Sequence, residues 1–94
     1  MLESNVSNDE QTQIESMRSL MEEIVQALVD SKGSVVVEAV PHDSGASIVI
    51  AVATEDLGKV IGKEGRTARS LRTILGAASK KIGRSFSLDV REGS

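Results

Sequence analysis

Val60-Ile61-Gly62-Lys63-Glu64-Gly65-Arg66 decides how this chain is read: a Gly-x-x-Gly turn follows an aliphatic pair and opens into an arginine-bearing segment. Gly62 and Gly65 lack a Cβ, so the backbone between them can reverse sharply and approach a sugar-phosphate chain that larger residues would repel. Lys63 adds positive charge where the backbone offers N–H groups. A helix starting near Arg66 directs its unpaired N–H groups and positive dipole end at the same spot, which favours an anion. The tetrapeptide alone is also a common joint between two helices. A basic residue inside the turn, a basic face after it and a short helix on each side favour a nucleic-acid backbone.

Outward from the loop, the helical pattern is strongest over 66–82. At about 100° per residue, Ala68, Leu71, Leu75, Ala78 and Ile82 fall within about 80° of one another, and Arg66, Arg69, Arg72 and Lys80 fall in a separate sector of about 120°. One face is core and the other basic. Ser85 to Val90 alternates as a half-buried strand. Upstream of the loop, Thr54-Glu55-Asp56 is a helix-start signal for a two-turn helix with Leu57, Val60 and Ile61 on its apolar side. The valine-rich run 34–40 and the apolar run 46–53 read as an antiparallel hairpin around the turn cluster Pro41 to Gly45. Ile14, Met17, Met21, Ile24 and Leu28 recur at three- and four-residue spacing, which predicts an amphipathic helix from about Gln11 to the stop at Gly33. Residues 1–10, rich in Ser and Asn without apolar periodicity, are expected to form a flexible tail, leaving 11–94 as one small domain.

Composition narrows the function. The chain has 94 residues and Phe86 is the sole aromatic, so the core is aliphatic and no platform of rings exists for stacking bases. There is no cysteine and one histidine, His42 in the turn cluster, which excludes disulfides and thiolate chemistry and argues for no cofactor, no metal and no enzyme. No apolar run is long enough to span a bilayer and the first residues are polar and acidic, so the expectation is a cytoplasmic protein without membrane contact. A net charge of −3 conceals a division: residues 1–33 carry two basic and seven acidic side chains, 34–55 none and three, and 56–94 nine and four. The local field around the glycine loop is therefore positive.

The order helix, strand, strand, helix, Gly-x-x-Gly, helix, strand resembles the type II KH domain, an α+β fold (α-β-β-α-α-β) whose three-stranded mixed sheet packs against helices on one face. The run Glu55 to Thr67, with Leu71-Arg72, is similar to the small bacterial single-KH proteins of the KhpA type. The resemblance implies single-stranded RNA binding, the role of a low-specificity RNA chaperone or post-transcriptional regulator, and a homodimer or heterodimer with a larger Jag/KhpB-type KH protein. It places RNA contacts at Val60, Ile61, Gly62, Lys63, Glu64, Gly65, Arg66, Thr67, Arg69 and Leu71, with the loop clamping four nucleotides through their backbone. Glu64, acidic where many such loops are basic or neutral, and Ala68, small where a larger aliphatic residue is frequent, both imply modest affinity. The competing class is a protein-interaction module whose main role is dimerisation. A triphosphate-binding protein is disfavoured, because the loop lacks Gly-x-x-x-x-Gly-Lys spacing. Lys80, Lys81 and Arg84 are expected to compensate the helix dipole.

Overall fold

The computed structural model describes residues 5–93. Helix α1 (Asn5–Leu28) is followed by strands β1 (Val36–His42) and β2 (Gly45–Val52), helix α2 (Leu57–Ile61), helix α3 (Arg66–Ile82) and strand β3 (Ser85–Glu92). Short 3₁₀ turns at Lys32–Ser34, Thr54–Asp56 and Lys63–Gly65 join them. The sheet order is β1-β2-β3, with β1 antiparallel and β3 parallel to β2. This is the α+β KH arrangement, with a mixed three-stranded sheet.

The central strand shows why the sheet has one covered face. Ala46, Ile48, Ile50 and Val52 are fully buried, while the alternate residues Ser47, Val49 and Ala51 are half-buried, as the two-residue period of a strand requires. Val37 on β1 and Phe86 and Leu88 on β3 extend the buried layer, which Met21 and Val25 of α1, Val29 just after it, Val60 of α2, and Leu71 and Leu75 of α3 close. Phe86, the one aromatic, is spent inside this core.

α1 begins at Asn5, upstream of the Gln11 start expected from apolar spacing. The chain has no glycine or proline before Gly33, so nothing local stops the helix from extending past its apolar stripe; Glu10 also forms an ion pair with Arg84. Of the expected tail, residues 1–4 lie outside the described residues. Further along α1, Arg18 donates to Glu15, to Glu22 and to the Val37 carbonyl on the outer edge of β1. These carboxylates raise the guanidinium's already high pKa further.

The hairpin turn is tighter than the cluster Pro41 to Gly45 suggested, because the ladder runs to His42↔Gly45 and leaves only Asp43 and Ser44 between the strands. Pro41 is tolerated within β1 because that strand is an edge. Its position shares the outward orientation of Val37, so its missing N–H removes no bond to β2.

Candidate nucleic-acid interface

The glycine loop is built by two close constraints. Gly62 has φ 81° and ψ 167°, a combination essentially confined to glycine. A Cβ there would run into the Thr67 side chain and lie 2.7 Å from its amide nitrogen. Gly65 adopts φ 76°, ψ 14° and donates its N–H to the Gly62 carbonyl at 3.0 Å. Between them Glu64 is held in the left-handed region at φ 56°, ψ 26°, the one non-glycine residue with positive φ among those described. Such backbone costs an L-residue roughly 1–2 kcal/mol, and it turns the Lys63 and Glu64 side chains out to solvent.

A buried carboxylate fixes the base of the loop. Asp56 is fully buried; its oxygens accept N–H bonds from Asp30 at 3.2 Å and Ser31 at 2.9 Å, and a bond from Lys59 Nζ at 2.9 Å. The Ser31 amide, then the Lys59 ammonium, hold the Asp56 carboxyl below its ordinary pKa although burial acts the other way. The hydrogen bond to Asp56 likewise raises Lys59. Asp56 therefore ties the end of α1 to the first turn of α2, five residues before Ile61. Sequence reading saw only a helix-start acid there, since its partners at positions 30 and 31 become visible only in the fold.

Beside the loop, Ile61, Gly65, Ala68, Arg69, Arg72, Asp89 and Val90 line a cleft of about 460 Å³. The structure brings Ile61, Gly65 and Arg69 of the expected contacts into this cleft, and sets Lys63, Glu64 and Arg66 exposed at its rim. Gly62 and Thr67 are half-buried against each other behind the turn. Val60 and Leu71 are not groove surface: they are buried in the core and can only support the cleft from beneath. Arg72 joins the cleft from the basic face of α3 that the sequence set beside the loop, and Ala68 from its apolar face; Asp89 and Val90 were absent from the expected contacts and enter because β3 lies parallel to β2 at the sheet edge.

The electrostatics of the cleft are cationic on the α3 side. Arg69 and Arg72 are exposed there, and Arg72 donates to the Leu88 carbonyl at 3.5 Å. Asp89 supplies the acidic wall and is paired with Arg91. At the loop tip Arg66 meets Glu64 at 3.5 Å, with both side chains largely exposed, so this pair is weak and readily exchanged for a phosphate. A broader depression of about 680 Å³ follows the outer side of α1 between Gln11 and Glu23. One helix lines all of it, so it has no second wall. Among the described residues no cluster of His, Cys, Asp or Glu could hold a metal ion, and no helix is long and apolar enough to cross a membrane.

A family model described as KhpA/KhpB, KH domain, matches residues 18–90. The RNA-binding protein KhpA of Halalkalibacterium halodurans is 46% identical over 76 residues, covering 79% of this chain and 97% of that protein. KhpA of Aquifex aeolicus is 40% identical over 77 residues, covering 82% and 98%. Among solved structures, a variant of Aquifex aeolicus Era bound to GDP and aluminium fluoride superposes with a TM-score of 0.54 at 21% identity, over 82% of this chain and 30% of the Era chain. At that identity the likeness to Era establishes the fold alone.

Proposed function

Since the chain belongs to the KhpA/KhpB KH-domain family, we propose that it binds single-stranded RNA through the loop Gly62 to Gly65 and the cleft beside it. The observation that carries this reading is the continuity of the two: Gly65 belongs to the turn and also lines the cleft between Ile61 and Arg69. Phosphates approach the bare backbone at Gly62 and Gly65, with Lys63, Arg66 and Arg69 supplying charge. Bases then lie against Ile61, Ala68 and Val90, an aliphatic surface backed from within by Val60 and Leu71, while Thr67 holds the turn through Gly62. Without aromatic stacking such contacts discriminate bases poorly, which fits a cytoplasmic RNA chaperone or post-transcriptional regulator of low specificity.

Replacing both Lys63 and Glu64 with Asp tests this directly. It sets two carboxylates against the phosphates and leaves both glycines in place. The folded protein, checked by circular dichroism, is expected to lose at least about tenfold in RNA affinity, since removing a charge contact and adding repulsion acts on the electrostatic part of binding. Unchanged affinity in the folded double variant overturns the loop assignment.

A protein-interaction module is the second reading, dimerising with itself or with a larger Jag/KhpB-type KH protein. Ile74 on α3, 40% exposed, and Ile61, 36% exposed, favour it. Sedimentation that stays at the monomer mass of 10.0 kDa on concentrating would remove the homodimer.

A further inference from the structure

The cationic flank of α3 does not stop where the cleft stops. At about 100° per residue, Arg69, Arg72, Gly76 and Lys80 share a sector of about 80°, and all four are exposed. Lys81 points about 100° away from Lys80, so the two lysines at the helix end are not equivalent. Lys80 stands eight residues beyond Arg72, about 12 Å along the axis. Gly76, between them, leaves the surface bare: a Cβ there would meet nothing within 4 Å. No acidic residue occurs anywhere in α3. Beneath this flank the seam between α3 and β3 is closed, by Arg72 donating to the Leu88 carbonyl and by the Phe86 N–H donating to Ser79 Oγ at 3.0 Å. A strand that leaves the cleft at Arg72 along the cationic side therefore passes over the helix surface.

We propose that RNA longer than the four-nucleotide footprint of the loop continues along this flank, crosses α3 at Gly76, and has a phosphate held by Lys80. This rests on the RNA-binding reading and adds a backbone-only extension to it. The occupant follows from charge complementarity: a row of three cations without a carboxylate on its helix suits a polyanion with regularly spaced charge. Bases are not read there, because the closed seam offers them no cavity. Arg84 adds little, since Glu10 already answers its charge.

The test compares random-sequence, single-stranded RNA pentamers and decamers over a range of salt concentrations. Each phosphate contact contributes about 0.7 to the slope of log affinity against log salt for single strands. The decamer slope is therefore expected to be steeper than the pentamer slope by about 0.7. A decamer's additional binding registers raise affinity but leave the slope alone, so the slope isolates the extra contact. Lys80→Gln should bind the pentamer as the parent does and lose the extra decamer slope. Gly76→Glu, placed in open space on a helix, should keep the fold and weaken decamer binding severalfold without affecting the pentamer. Equal slopes in the parent, or a decamer slope untouched by Lys80→Gln, overturn the extension and leave the cleft reading standing. A pentamer that does not bind, or binds as well after both Lys63 and Glu64 are replaced with Asp, removes the cleft reading and the extension with it.

Discussion

Two tight reversals of this chain, the hairpin turn at Asp43-Ser44 and the glycine loop at Lys63-Glu64, carry similar turn chemistry, each with a glycine pressed against a neighbouring segment, and differ in backbone strain and in the charge around them. Both are exposed, both are two residues wide between paired or glycine positions, and both hold an acidic residue. At the hairpin, the exposed Ser44 donates its N–H to His42 Nδ1 at 3.3 Å and its carbonyl accepts the Ser85 N–H at 2.8 Å, with no positive-φ residue in the turn and no lysine or arginine among residues 40–47. At the loop, Gly62 is pressed against Thr67, Glu64 is held in left-handed backbone, and the buried Asp56 anchors the preceding helix. Turn residues mark where a chain reverses. A reversal becomes a binding element when the structure also fixes its backbone, aims cations at it and opens a cleft alongside.

The largest test of that contrast is Gly62→Ala. The added methyl meets Thr67 in a backbone region that alanine avoids, so the expected cost is about 3 kcal/mol in urea denaturation, together with loss of RNA binding. Full affinity with this variant would show that the loop's backbone geometry is dispensable.

Next comes the anchor. Asp56→Ala leaves the Asp30 and Ser31 amides without their acceptor and leaves Lys59 only its longer contact with the Asp30 carboxylate at 3.4 Å, and is expected to lower the melting temperature by roughly 10 °C. The same carboxylate sets a pH dependence. Its pKa is lower folded than unfolded, so its stabilisation is complete above the unfolded value of about 4 and is lost as pH falls through that value toward the folded one. The melting temperature should be level between about pH 7 and pH 5, then decline below about pH 4, with a shallower decline in Asp56→Asn. An acid limb identical in the variant would assign it to other carboxylates.

Glu64→Asn is expected to act in the opposite direction. Asparagine tolerates left-handed backbone better than glutamate, so stability should rise by about 0.5 kcal/mol. Releasing Arg66 from its carboxylate should raise RNA affinity severalfold. Lower affinity would mean that the Glu64 charge contributes to binding. The smallest effects belong to the other reversal: Asp43→Ala and Ser44→Ala should each stay within about 0.5 kcal/mol of the parent, with RNA affinity unchanged.

The elements that sequence reading located best are those whose signals are local. α3 runs from Arg66 to Ile82 as its two faces require, and the glycine loop lies where the Gly-x-x-Gly spacing puts it. What escaped depended on distant partners. Pro41 looked like a turn residue until β1 proved to be a sheet edge. Val60 and Leu71 looked like groove surface until burial placed them in the core. Asp89 and Val90 entered the cleft only through the parallel pairing of β3 with β2. Asp56 gained its meaning from two amides 25 and 26 residues upstream. Residue types named the chemistry, and topology decided which of them meet.

The central claim, that RNA lies on the glycine loop and the cleft beside it, is tested most directly by titrating a single-stranded RNA pentamer into the isotope-labelled protein and following its backbone amide resonances by NMR. The shifts are expected to concentrate at 61–72 and 88–90 and to leave the hairpin turn at 42–45 unmoved. Shifts centred on the hairpin or on α1, with the glycine loop silent, would contradict it.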